Sequence, residues 1–118
     1  MLRLPSAVRI FLCTEPADMR RGFDGLSAMA RDVMRADPLS GHLFVFRNRR
    51  GDRVKLLYWD QDGLALWYKR LERGTFHLPV QGEGGAEIDA TQLAMMLEGV
   101  DFRAIRRRKR YRRKTVTV

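Results

Sequence analysis

The chain has one cysteine, two histidines and no long apolar run, and each shortage removes a class of function. Cys13 has no partner within the chain, which excludes an internal disulfide framework and a cysteine-rich zinc site. A reducing, cytoplasmic compartment is the simplest expectation. No stretch approaches the roughly 20 apolar residues that a membrane-spanning helix requires. Met1-Leu2-Arg3-Leu4-Pro5 lacks the long apolar region of a secretory signal, so no leader is expected. His42 and His77 lie apart, next to apolar runs where a structural role is the ordinary one. No His-Glu-x-x-His pair, Gly-x-Ser-x-Gly elbow or phosphate-loop glycine pattern accompanies them. The sequence therefore predicts no catalytic residue, no metal ligand and no cofactor.

Acidic residues are missing from one region only. The 118 residues hold 23 lysines and arginines against 14 acids, but Arg103 to Lys114 contains nine cations and no acid. Residues 1–102 are then formally neutral, with 14 charges of each sign. The sequence predicts a compact domain over residues 1–102 and a flexible basic tail over 103–118, because like charges repel and no apolar stripe runs through the tail. Cations there neutralise phosphates and release condensed counterions, giving affinity that is steep in salt and largely blind to base sequence. The tail candidates for nucleic-acid contact are Arg106, Arg107, Arg108, Lys109, Arg110, Arg112, Arg113 and Lys114. Tyr111 among them can stack on an exposed base.

Residues 42–74 hold both tryptophans, two of the three tyrosines and four clustered arginines. Leu43–Phe46 and Val54–Tyr58 are short apolar runs rich in β-formers. Arg47-Asn48-Arg49-Arg50-Gly51-Asp52-Arg53 between them reads as the tip of a hairpin, since Asn, Gly and Asp accept turn geometry. Arginine forks bind phosphate bidentately, and a two-stranded ribbon fits the major groove. Arg47, Arg49, Arg50 and Arg53 are therefore candidate DNA contacts, against the plainer reading that they pair with Asp52, Asp60 or Asp62. Leu64, Trp67, Tyr68 and Leu71 then recur at helical spacing, with Asp62 as N-cap and Gly74 just past the end. That pattern predicts a three-turn helix carrying Lys69 and Arg70, two further candidates.

Elsewhere, Val8–Cys13 reads as a first strand, and Met19, Phe23, Leu26, Ala30 and Val33 draw a helical stripe that Asp37-Pro38 closes. Gly22 and Gly25 inside that helix cost roughly 1 kcal/mol each relative to alanine. Either close backbone packing offsets this, or an irregular first turn presents amides beside Arg20 and Arg21 to a phosphate. Thr75–Val80 reads as a last strand at a sheet edge, and Gln81–Ala86, with three glycines, as a flexible loop. Asp89 with Gln92 makes a capping-box start for a short helix stopped by Gly99. Asp18, Asp24, Asp52, Asp60 and Asp62 could in principle assemble a metal-dependent nuclease site, yet nothing in their spacing fixes such a geometry. The fold class is α+β: a small single domain, mostly antiparallel, with an arginine-tipped hairpin packed by two or three helices.

Three segments carry a resemblance. FLCTEPADMRRGFDGL (Phe11–Leu26), DPLSGHLFVFRNRRGDRVKLLYWDQDGLALWYKRLERGTF (Asp37–Phe76) and LAMMLEGVDF (Leu93–Phe102) resemble the TnpB, or Orf-two-like, accessory proteins of bacterial insertion sequences of the sixty-six family. The resemblance covers almost all of residues 8–102; the tail matches less specifically. It implies a helper in DNA transposition, within an element whose separate, larger transposase carries the catalytic acids, and it supplies no site residues of its own. The expected function is non-catalytic DNA binding, at element ends or non-specifically, with the transposase and another accessory protein of the element as partners. The alternatives are a protein-assembly module for the transposase, using an exposed edge such as Thr75–Val80, and, less favoured, the nuclease. Oligomeric state is not legible in the sequence.

Overall fold

The computed structural model describes residues 7–103. In chain order its elements are β1 (Ile10–Cys13), α1 (Phe23–Asp32), β2 (Leu43–Arg47), β3 (Arg53–Asp60), β4 (Gly63–Arg70), β5 (Gly85–Ile88) and α2 (Ala90–Leu97). They form one five-stranded sheet of order β4-β3-β2-β1-β5. Strands β1 and β2 are parallel, with α1 in the crossover that parallel neighbours need, and every other pair is antiparallel. The domain is thus α+β with a mixed, mostly antiparallel sheet.

Both faces of this sheet are covered, and the side-chain period of two divides the core accordingly. Ile10, Leu12, Leu43, Val45, Val54 and Leu56 face Leu93, Met96 and Leu97 of α2. Cys13, Phe44, Phe46 and Leu57 face Leu26, Met29 and Ala30 of α1. Leu43, Phe44, Val45 and Phe46 are all fully buried. A strand buried on both sides reads as a continuous apolar run rather than an alternating one, which is why β2 was legible without periodicity.

The segment after Asp62 is a strand, not a helix. Gln61 and Asp62 form a two-residue hairpin loop that sets Asp60 opposite Gly63, with Gln61 at φ +58°. Asp-Gly acts here as hairpin punctuation rather than as a helix cap. The helical spacing of Leu64, Trp67 and Leu71 is a coincidence of composition. Leu64 and Leu66 pack on the α1 side and Trp67 on the α2 side, so both strand faces are apolar. The three-turn helix over residues 62–74 is overturned because pairing with β3 along eight residues outweighs a weak local periodicity.

Thr75–Val80 is likewise not a strand. Phe76 is fully buried and donates its N–H to the carbonyl of Gly51 at 2.7 Å, while Leu78 and Val80 pack on the α2-side core. The segment covers a sheet face as irregular backbone, and Pro79 removes a donor from any ladder it would form. Conversely, the glycine-rich stretch read as a loop ends in a strand: Gly85 opens β5, opposite Cys13. Gly84 sits at φ +75°, and a Cβ there would lie 2.7 Å from the carbonyl oxygen of Val33, so the glycines permit close approach to the end of α1.

Helix α1 starts later than its apolar stripe. Lys55, 6% exposed, donates from Nζ to the carbonyls of Met19 (2.8 Å) and Arg21 (2.9 Å), and those carbonyls are thereby held out of a helical ladder. Gly22 is the N-cap, and Gly25 packs against the side chain of Arg21 rather than against another backbone. At α2 the predicted capping box is present: the Asp89 carboxylate accepts from the Gln92 N–H at 2.7 Å, and the Gln92 side-chain oxygen accepts from the Asp89 N–H at 3.0 Å. Gly99, at φ +82°, follows the end of that helix.

Candidate nucleic-acid interface

The β2–β3 connection is densely hydrogen-bonded for a loop. Asn48 accepts on its side-chain oxygen from the Arg53 N–H (3.0 Å) and donates from Nδ2 to Asp52 (2.7 Å). The Gly51 N–H donates to the Asn48 carbonyl (3.1 Å) with Gly51 at φ +79°, a conformation that favours glycine. Outside the turn, Leu71 donates to the carbonyl of Asp52 at 2.8 Å and Phe76 to that of Gly51, so residues 71–76 brace the tip from one side. The Asn48 bond, then the charges of Arg50 and Arg53, hold the Asp52 carboxyl below the usual carboxylate range.

On this tip Arg49 and Arg50 are exposed, and among the described residues neither takes part in an ion pair. The other candidates have local employment. Arg47 is half-buried and donates to the Phe76 carbonyl at 2.7 Å, and burial lowers its pKa from the ordinary value. Lys69 donates to the Leu97 carbonyl at the end of α2 (3.3 Å), where a cation suits the helix dipole. Arg53 donates to the Tyr68 hydroxyl (3.2 Å), and Arg70 reaches Glu72 at 3.5 Å across an exposed surface. Arg53 and Arg70 stand directly opposite each other across β3 and β4, an unfavourable like-charge neighbourhood unless an anion lies over it.

A family model for IS66 Orf2-like proteins matches residues 8–107, nearly the whole described domain. The chain belongs to the IS66 Orf2-like family. It is therefore an accessory protein of an insertion sequence. Two proteins of Sinorhizobium fredii (strain NBRC 101917 / NGR234) are similar over most of their length. The uncharacterized protein y4hO is 41% identical over 102 residues, covering 85% of this chain and 89% of the relative. The uncharacterized protein y4jC is 37% identical over 101 residues, covering 86% of each. No solved structure matches the chain.

In this IS66 Orf2-like fold the strand character of β4 brings together residues that the sequence placed on separate elements. Tyr68, 47% exposed, lies beside Arg53 and under the ammonium of Lys55, whose Nζ is 4.7 Å from the ring centroid. Through Lys55 the same ring neighbours the backbone of Arg21, and Arg21 and Arg49 both line an open depression of about 510 Å³ that also contains Asp18 and Asp32. Arg20 is committed to Asp18, whose carboxyl it holds down at about 2. Sequence reasoning placed Arg21 beside a phosphate only as one alternative for the start of the first helix, and it missed Lys55 and Tyr68; recognising Asp62-Gly63 as a hairpin turn would have recovered Tyr68.

The five aspartates of the nuclease alternative do not converge. Among the described residues no three His, Cys, Asp or Glu side chains are grouped to hold a metal ion, and no helix is long and apolar enough to cross a membrane. The tail candidates from Arg106 to Lys114 lie outside the described residues. Arg103, at the boundary, pairs with Asp101.

Proposed function

We propose that this accessory protein holds DNA by phosphate contact, without cutting it, while working beside the transposase of its element. The observation that carries the reading is the braced tip on which Arg49 and Arg50 stand exposed. The turn is fixed by Asn48 and by residues 71–76, so its guanidinium forks approach a phosphate with little ordering left to do. Arg21, Arg53 and Arg70 extend the cationic surface, and Tyr68 offers a ring among them. Arg47 and Lys69, by contrast, are occupied within the fold and act on DNA indirectly, by holding the tip and α2. In this division of labour the basic tail supplies most of the electrostatic affinity and the tip supplies orientation.

The test is binding of the full chain to duplex DNA across a salt series, for the parent and for the R49A/R50A variant. Each lost phosphate contact reduces the log-log salt slope by about 0.9, so the double variant should show a slope shallower by roughly 2, with folding unchanged. Equal slopes and equal affinities would remove the tip from the interface. An unaffected variant that still co-purifies with the transposase after nuclease digestion would make the domain an assembly module.

A further inference from the structure

Among the described residues the outer edge of β4 is open. Strand β4 is terminal in the sheet order, eight residues long, and among the described residues no other strand pairs with its outer side. The Leu71 N–H donates inward to Asp52, so by alternation Lys69, Trp67 and Ala65 also bond toward β3. The N–H and C=O groups of Leu64, Leu66, Tyr68 and Arg70 then point outward. Natural edges of this length are usually blunted by proline, lysine or a bulge. Gly63-Leu64-Ala65-Leu66-Trp67 contains none of these, and all five residues are only partly covered.

We propose that this edge pairs antiparallel with the same edge of a second copy, joining two sheets into one of ten strands about a two-fold axis at Leu66. The charge at the two ends of the edge selects this arrangement. Asp60 and Asp62 lie at the turn end and Lys69 and Arg70 at the other, so antiparallel pairing sets opposite charges together twice, whereas parallel pairing sets like charges together. Placing Leu66 opposite Leu66 of the second copy puts Leu64 opposite Tyr68, Ala65 opposite Trp67, and the Asp62 turn beside Arg70. Leu64, Leu66 and Tyr68, whose backbone groups point outward, then meet one another, as a ladder requires, and only Arg70 meets a turn residue. Tyr68, exposed in one copy, is covered by Leu64 of the other, and Trp67 lies over the small Ala65, a large-against-small match on each face. The weak exposed contact of Arg70 with Glu72 is exchanged for Asp62. The pairing leaves Arg49 and Arg50 uncovered, takes Tyr68 and Arg70 out of the surface proposed for DNA, and does not depend on DNA binding.

The test uses the full chain without DNA. Sedimentation at tens of micromolar should give a dimer, the D62K and R70E variants should each be at least about tenfold weaker in self-association, and the D62K/R70E double variant should recover. Register is read by cysteine. L66C should cross-link to itself under mild oxidation, because paired Cα atoms lie about 5.5 Å apart, while L64C should not, being roughly 13 Å from its own copy. Buried Cys13 stays out of the reaction. A monomeric parent would overturn the proposal and assign the edge to another partner. A dimer that is indifferent to both charge reversals and gives no L66C cross-link would overturn it by placing the contact elsewhere.

Discussion

Replacing Lys55 by methionine isolates the link between the buried sheet face and the cationic loop before α1. Methionine keeps the unbranched apolar stem but removes both charged hydrogen bonds, to Met19 and Arg21, and the cation over Tyr68. Hydrogen bonds from a charged donor contribute about 1.5–3 kcal/mol each, and a cation–π contact adds roughly 0.5–1 kcal/mol. Two effects offset part of this loss. The ammonium no longer has to be buried, and the freed carbonyls regain water, since Arg21 is exposed and Met19 half-buried. The net loss is about 2–4 kcal/mol, a fall in Tm of roughly 8–16 °C for a domain of this size. Urea unfolding of the K55M variant measures it, and amide exchange locates it: protection should be lost first around residues 19–23. A variant within about 0.5 kcal/mol of the parent, with unchanged exchange there, would refute the view that Lys55 holds this loop.

Asp18 tests the neighbouring turn by pH. Its carboxyl is held near 2, chiefly by the hydrogen bonds from Arg20, against an ordinary value of 3.8. A depressed carboxylate favours the folded state fully above the unfolded value and loses that contribution as pH falls through the folded one. The Asp18–Arg20 pairing should therefore be intact above about pH 4 and gone below about pH 2; an NMR titration midpoint near 3.8 would show the pair is not formed in solution. Gly84 tests the close approach of β5 to α1. In G84A the new methyl meets the Val33 carbonyl at a backbone angle alanine disfavours, so unfolding should become easier by roughly 1–3 kcal/mol. A neutral G84A would mean that the β5 entry shifts freely.

Legibility followed the range of the interactions involved. Strands β1, β2 and β3, the α2 capping box and the family resemblance all rest on contiguous residues, so they were readable in one dimension. At the candidate interface the sequence pointed to the arginines as a group without sorting them. Arg47 and Arg50 look alike in the chain, yet one is turned onto the Phe76 carbonyl and the other stands in solvent. That difference depends on residues 71–76, folded back from more than twenty positions away.

By itself the sequence determined a single α+β domain, the neutral body with its charge excess confined to the tail, and membership of an accessory-protein family of insertion sequences. Only the tertiary structure decided that residues 63–70 are a strand. Their apolar side chains satisfy both a helical stripe and two sheet faces, and the choice between them comes from β3 lying alongside and from cores waiting on either side. With that choice came the Arg53–Arg70 pair, the exposed Tyr68 and the open edge. Each exists only because two segments meet across a sheet, a relation that spacing along one chain does not encode.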